Sequence, residues 1–272
     1  MKRIISIQDI SCLGKCSNTV ALPIISACGV ECTIIPTAIL STQSVIEGFT
    51  FNDFTDSILP VFNHWKKNSY KFDAVCTGYL GSIRQIEIIE KIFEELGDNT
   101  LKFVDPVMGD EGALYNGFSS DFAEEIKKLC SKADILTPNL TEAAALLGLE
   151  YKTDYDRVYI NSIISELLKA GAKSAIITGV SFDNKIGIIG YDGIKNESFE
   201  YFRDKINGKF HGTGDIFAAC CLGKLMQGKS LKEAAAAAVD FTVHSIEETL
   251  ADEERIKYGV NFENALPDLL QF

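Results

Sequence analysis

Histidine, tryptophan and positive charge are scarce here: three His, one Trp, and 26 Lys plus Arg against 38 Asp plus Glu in 272 residues. The net charge of −12, with no basic cluster to offset it, repels a phosphate backbone, so nucleic acid and anionic membranes are poor partners. No apolar run approaches the ~20 residues of a membrane helix. The start, MKRIISIQDI, carries two basic residues, but Gln8 and Asp9 interrupt its apolar stretch before a signal-peptide core can form, and the cytoplasm is the expected compartment. The lack of histidine also bears on the eight cysteines. Cys12-x-x-x-Cys16 and Cys28-x-x-x-Cys32 have no histidine nearby, which is poor grammar for zinc; reduced core filling without disulfides is the expectation. No G-x-G-x-x-G turn follows the first apolar stretch, where SIQDISCLG holds only Gly14, and this argues against a dinucleotide oxidoreductase. There is no internal repeat and no linker-like stretch. With 46% hydrophobic and 24% charged residues, a single globular domain over 1–272 is expected.

What is present is an alternation of short β-rich runs with helical patterns. Strands are expected at 3–7, 31–40, 73–78, 101–106, 134–138 and 174–179, and helices at 18–29, 52–67, 82–96, 118–130, 139–147 and 156–170. This order implies an α/β fold, a largely parallel sheet covered by helices on both faces. KIGIIGYD (185–192) and SFEYFR (198–203) flank GIKN and read as a hairpin forming an antiparallel edge. Helices follow at 215–228 and 230–250, the second opened by Ser230 with Glu233 placed for a capping box. Its run Ala234 to Ala238 reads as close helix packing. In such sheets ligands bind beyond the carboxyl ends of the strands. That rule selects Asp9, Ser41, Ser44, Tyr79, Asp105, Asp110, Thr137, Asn139, Glu142, Thr178 and the turn Gly212–Asp215.

Three stretches carry candidate chemistry. In KFHGTGDIFAA (209–219), Gly212 and Gly214 are free to take positive φ and to present bare N–H groups at a helix start, a natural seat for a phosphate. Asp215 is then either a carboxylate that complements the helix dipole or a base that takes a proton from a substrate hydroxyl. His211 reads as a loop histidine packing near the substrate. FVDPVMGDEG (103–112) sets Asp105 and Asp110 in a turn. The pair is either turn chemistry alone or two carboxylates facing an anionic cofactor through Mg2+. In ILTPNLTEAAALL (135–147), Asn139 and Glu142 either start a helix or, sharing one face of its first turn, approach the same metal–phosphate assembly.

Taken with SIQD, TGYLGS (77–82), DPVMGDEGALY (105–115), TPNLTEA (137–143), ITG (177–179) and GTGDIFAA (212–219), the chain resembles the ribokinase superfamily. Within it, the order and spacing resemble the pyridoxal and pyridoxamine kinases of the vitamin kinase branch, over nearly the full length. The resemblance implies a ribokinase-like, three-layer αβα fold that uses ATP and Mg2+ to phosphorylate a hydroxymethyl group of a pyridine vitamer, in a homodimer. It implies Asp215 as base, with Gly212, Thr213 and Gly214 as its anion hole. Asp105, Asp110, Asn139 and Glu142 fall at positions that organise Mg2+ and the ATP phosphates. Thr137 and Thr178 fall on the nucleotide side, Tyr115 in the loop that covers the phosphates, and Asp9, Ser44 and Tyr79, with His211 nearby, around the pyridine ring. Two positions depart from the pattern: Asp9 stands where many such kinases have serine, and Gln43-Ser44 replaces a His-Thr pair. A carboxylate at position 9 favours an aminated vitamer. A hydroxymethylpyrimidine or sugar kinase of the same superfamily, or a non-catalytic binding protein of that fold, are the rival readings. A monovalent-cation requirement is left open by these residues.

Overall fold

The computed structural model describes residues 1–44, 46–255 and 258–270. In chain order it contains β1 (Arg3–Leu13), α1 (Asn18–Ala27), β2 (Glu31–Thr42), β3 (Phe51–Asp53), α2 (Thr55–Lys67), β4 (Ala74–Thr77), α3 (Ile83–Leu96) and β5 (Leu101–Val104). It continues with β6 (Gly109–Asp110), β7 (Ala113–Leu114), α4 (Ser120–Cys130), β8 (Ile135–Leu136), α5 (Leu140–Leu147), α6 (Arg157–Lys169) and β9 (Ser174–Phe182). The last elements are β10 (Lys185–Asp192), β11 (Glu197–Asp204), α7 (Thr213–Met226), α8 (Leu231–Ala251) and a 3-10 helix over Phe262–Leu269. The chain divides into two compact units, Met1–Gly81 with Ile206–Phe272, and Ser82–Lys205.

In the first unit the strand order is β4-β1-β2-β3. β1 runs parallel to both neighbours, and the three-residue β3 closes the edge antiparallel to β2. Ile4, Ile5 and Ile7 are wholly buried, as a strand covered on both faces requires, which is why RIISI is continuously apolar. β1 does not stop there. It runs on to Leu13, and where it passes Asp9 the ladder with β2 shifts register: Gln8 pairs with Pro36 but Ile10 with Ile39. Asp9, expected at a strand end, therefore lies within the strand beside a bulge. Proline at 36 supplies no N–H to the ladder, and the extra residue of β2 falls just after it. α7 packs on α1 and on α8. Gly223 leaves room for Cys28, whose Sγ would lie 2.7 Å from an added Cβ. Buried Ala234, Ala235 and Ala238 form the inner face of α8, so the alanine run does serve close helix packing.

The second unit has the order β11-β10-β9-β8-β5. β5, β8 and β9 are parallel, while β10 and β11 turn back antiparallel. The expected hairpin edge is thus present, and the mixed α/β plan with mostly parallel strands holds. Ser82, Ser119 and Asp156 cap α3, α4 and α6 through their side chains. The outermost strand, β11, carries Glu197, Glu200, Arg203 and Asp204, with Lys185 and Arg157 paired to Asp204 and Glu200 at 2.6 and 2.8 Å. The small hairpin β6–β7 was not legible as strand; it is a two-residue turn with positive φ at both Glu111 (48°) and Gly112 (84°), the twist that suits so short a hairpin. Among the described residues no helix is long and apolar enough to cross a membrane, and all eight cysteines are unbridged.

The capping box at α8 is present as the sequence indicates: Ser230 accepts from Glu233 N–H at 3.4 Å and Glu233 accepts from Ser230 N–H at 2.9 Å. Ser230→Ala is expected to lower stability by about 1 kcal/mol. In urea titrations this reads as a lower midpoint at unchanged slope.

Candidate functional site

In the first unit the chain gathers Asp9, Ser11, Cys16, Ser17, Tyr79 and the start of α7. Gly212 is left-handed (φ 80°), and a Cβ there would meet the Lys15 carbonyl oxygen at 2.0 Å. Only glycine fits that turn. Gly214 does not share the conformation: the helix begins at Thr213, so residue 214 has an ordinary helical backbone. What its missing side chain provides is room, since an added Cβ would find no atom within 4 Å. The Thr213 hydroxyl donates to the Phe210 carbonyl at 3.3 Å. Asp215 sits in the first turn of α7. It is partly open to solvent, yet its carboxyl is enclosed closely enough to be pushed up to about 7, first by desolvation and further by the Asp9 charge. The nearby Ser17 backbone opposes that rise.

Asp9 is 4% exposed. Its oxygens accept from Ser17 Oγ at 2.5 Å and Ser11 Oγ at 3.1 Å. Burial raises its pKa and the two serines hold the rise in check. The nearby Cys16 thiol is pushed up to about 12 by burial and then by the charges of Asp215 and Asp9, which makes it a poor nucleophile. Tyr79 is half-buried, its phenol raised by burial and by Asp9 and Asp53. Ser44 and His211 are exposed. Gln43, by contrast, is buried, and its Nε2 has no hydrogen-bond partner among the described residues.

The second unit assembles the remaining candidates just past β5 and β8, at the start of α5 and on β9, where Thr178, expected at a strand end, lies inside a strand that runs on to Phe182. Asn139 and Glu142 engage each other first. Asn139 accepts from Glu142 N–H through its side chain, and Glu142 Oε2 accepts from Asn139 N–H, both at 2.9 Å. Glu142 Oε1 accepts from Met108 N–H at 3.1 Å, and Asn139 Nδ2 donates to the Gly109 carbonyl at 2.8 Å. The pair therefore sutures the 108–109 loop to the helix. Glu142, 4% exposed, is pushed up to about 8 by burial, with the N–H bonds opposing. Thr137 is also buried, its hydroxyl turned onto the Val104 carbonyl at 3.4 Å. Thr178 stands beside them through a bridge to Asn139 and an N–H bond to Pro138. Asp105 is buried, whereas Asp110 and Tyr115 are exposed on the hairpin. Gly112 N–H donates to Thr141 Oγ1 at 2.9 Å and so ties the hairpin to α5.

The sequence model of phosphomethylpyrimidine kinases matches residues 22–259. The chain belongs to this kinase family. It is similar to a curated pyridoxal kinase of Dictyostelium discoideum, 30% identical over 81% of this chain and 77% of the relative. Among solved structures it is similar to pyridoxal kinase from Lactobacillus plantarum (TM-score 0.90, 30% identity, covering 99% and 96% of the two chains). A Bacteroides thetaiotaomicron structure solved with pyridoxal is similar as well (TM-score 0.94, 35% identity, covering 98% and 95%). Membership makes the chain a phosphotransferase and agrees with the resemblance drawn from its motifs.

Ser11, Ser17 and Lys15 escaped the sequence reading of this kinase. Ser17 ahead of an apolar helix reads only as a cap, and nothing local shows that its hydroxyl meets Asp9 on β1 or that Lys15 reaches Asn261 and Glu263. The two glycines of the turn now make separable demands. Gly212→Ala is expected to lower the melting temperature, with a loss of more than about 1 kcal/mol from the forbidden φ and the clash. Gly214→Ala should hold or raise it, by up to about 1 kcal/mol of helix propensity, while turnover falls because the Cβ fills the open space. Thermal melts paired with initial rates distinguish the two.

Proposed function

We propose that this kinase transfers the γ-phosphoryl group of Mg–ATP to the hydroxymethyl oxygen of a pyridine vitamer, pyridoxal, pyridoxamine or pyridoxine. The observation that carries the reading is Asp215, a carboxylate at a glycine-led helix start, poised near neutrality and beside open space at Gly214. The pyridoxal held by a relative similar over nearly the whole chain supports the acceptor. Asp215 takes the hydroxyl proton. The N–H groups of Gly212, Thr213 and Gly214, at the positive end of α7, stabilise charge on the transferring group. Such transfers depend on positioning and charge stabilisation rather than on a covalent nucleophile.

The second-unit residues serve the nucleotide in this reading. Thr137, Asn139, Thr178 and Tyr115 form its phosphate side, and Asp105, Asp110 and Glu142 its acidic side. Among the described residues no group of three or more His, Cys, Asp or Glu is placed to hold a metal. A few carboxylates are nevertheless the donor set expected for Mg2+ that keeps most of its ligands as water and phosphate. Mg2+ bound with ATP would neutralise charge on the phosphates. Exposed Asp110 is the side chain freest to face it, while Glu142 acts through its grip on Met108 and Asn139. On the acceptor side, Asp9, Tyr79, Ser44 and His211 face the ring. The chain acts as a single kinase domain over 1–272, in a cytoplasmic homodimer. A hydroxymethylpyrimidine acceptor is the second reading, favoured by the name of the matched family.

ADP release from Mg–ATP with pyridoxal, pyridoxamine, pyridoxine and hydroxymethylpyrimidine tests the acceptor. Turnover on the pyrimidine alone would move the reading to that substrate. Asp215→Asn is expected to lose roughly 10²–10⁴ in kcat. Because the working form of Asp215 is the anion and its pKa lies above the ordinary carboxylate value, kcat/KM should fall as pH drops through about 7. Wild-type turnover in Asp215→Asn, or a flat acid limb, would remove Asp215 from the role. Asp9 adds a buried negative charge on the acceptor side, and a cationic aminomethyl group gains from it. Asp9→Ser should therefore lower the pyridoxamine-to-pyridoxal ratio of kcat/KM, and an unchanged ratio would contradict the assignment.

A further inference from the structure

Lys15 is enclosed by parts of the chain that lie far from it in sequence. Its carbonyl oxygen abuts Gly212, where an added Cβ would meet it at 2.0 Å, and its stem abuts Gly259, where an added Cβ would meet the Lys15 Cβ at 2.4 Å. Its ammonium donates to Asn261 Oδ1 and to Glu263 Oε2 at 2.8 Å each and lies 5.9 Å from the centre of the Phe262 ring. The side chain is left 15% exposed. Lysine is seldom covered to that extent, because a long, solvated side chain gives up rotamer freedom and water when it is held. Its acceptor Asn261 is itself fixed, donating through its N–H to Thr249 Oγ1 at 2.7 Å and through Nδ2 to Asp252 Oδ2 at 2.8 Å. These bonds tie the 259–263 segment to the end of α8, and α8 packs on α7. The contacts therefore close a circuit that begins and ends on α7: the Gly212 turn, Lys15, the 259–263 segment and α8. At its far end the Lys15 loop carries a conformation that does not hold itself. Ser17 has φ 51° and caps nothing with its side chain, and a left-handed φ beside a Cβ persists only where the surroundings fix it. From β1 the fixing group is Asp9, which accepts from Ser17 Oγ at 2.5 Å; from the other end of the loop it is Lys15.

We propose that Lys15 is a positioning residue for the anion hole: its grip on Asn261 and Glu263 holds the 14–17 loop against Gly212, and the loop in turn sets the N–H groups of Gly212, Thr213 and Gly214 where the transferring phosphoryl group meets them. The inference rests on reading that turn as the anion hole. Lys15 touches no reactant in this role. It acts through its carbonyl, while its head group is committed to the segment that follows α8. Stability alone accounts poorly for the arrangement. An ion pair whose acid is half exposed contributes little to folding, whereas donors aimed at developing charge lose their effect steeply with small displacements. Residues 259–263, which lie outside every kinase motif of the sequence, thereby take part in turnover.

Three substitutions divide the contact. Lys15→Met keeps the stem and removes the charge, Lys15→Arg keeps a charged donor, and Glu263→Gln removes the anionic partner alone. Steady-state rates with Mg–ATP and pyridoxal, with melting curves on the same preparations, are the measurement. Lys15→Met is expected to lose about ten-fold in kcat, with KM for ATP and for pyridoxal little changed. Lys15→Arg should recover most of that loss. Glu263→Gln should lose less, since Asn261 still holds the ammonium. Because Lys15→Met and Glu263→Gln break one shared contact, the double variant should be no slower than Lys15→Met. Wild-type kcat in Lys15→Met, whatever its melting temperature, an equal loss in Lys15→Arg, or losses that multiply in the double variant would overturn the proposal. Should Lys15→Met fail to fold, Glu263→Gln decides: a lower kcat at unchanged KM supports the positioning role, and wild-type kcat overturns it. Gly214→Ala is the control that separates the two levels. If it is slow while Lys15→Met is normal, only the positioning claim falls; if it turns over at the wild-type rate, the anion-hole reading fails and takes this inference with it.

Discussion

A hydrogen bond donated to a buried carboxylate is the interaction on which both clusters depend. Removing a carboxylate from water is costly, and burial drives it towards its neutral form unless donors compensate. In the first unit the donors are the Ser11 and Ser17 hydroxyls on Asp9; in the second, the Met108 and Asn139 N–H groups on Glu142. In each case the loop supplying the donor is held in place by the contact, and the carboxylate is held in return. The rest of the arrangement follows: the 14–17 loop against the start of α7, the 108–109 loop against the start of α5, and the hairpin β6–β7 fastened by Gly112 to Thr141.

The carboxylates at the two helix starts nonetheless answer to different demands. Asp215 has a partly open surface and a carboxyl pushed up to about 7 by desolvation, so it can change its protonation close to neutral pH. Glu142 has its oxygens committed to the chain on both sides and almost no exposure, so it acts as a fixed part of the loop. Similar residue types at similar helix starts thus divide into a group that changes state and a group that holds shape. The number of donors and the access of water make the difference.

Most of the fold was legible because it rests on local chemistry. The unbroken apolar run of β1, the cap at Ser230, and the GIKN turn between β10 and β11 each follow from residues adjacent in sequence. The kinase motifs were legible for the same reason. What was not legible depends on distant partners. The extension of β1 to Leu13 needs β2 alongside it, and no local pattern marks the bulge at Asp9. Both readings of Asn139 and Glu142 were visible, but only the coordinates show that the capping box is made and that Met108 completes it. The sign of φ at Ser17 could not be read at all, because the residues that enforce it include Asp9 and, through Lys15, the chain's last helical segment. Gly214 misled for the opposite reason. A glycine signals either torsional freedom or absent volume, and here it is the volume.

The outer strand β11 has a bearing on the physical chemistry of the protein in bulk. Another chain seeking to add a strand along it would have to strip water from Glu197, Glu200, Arg203 and Asp204, and to break the Arg157 and Lys185 pairs that already occupy two of them. Edge charges of this kind discourage sheet extension, and the net charge of −12 adds repulsion between copies at long range. This side of the molecule therefore tolerates crowding: at high concentration it resists the strand-to-strand growth by which an open sheet edge seeds fibrils.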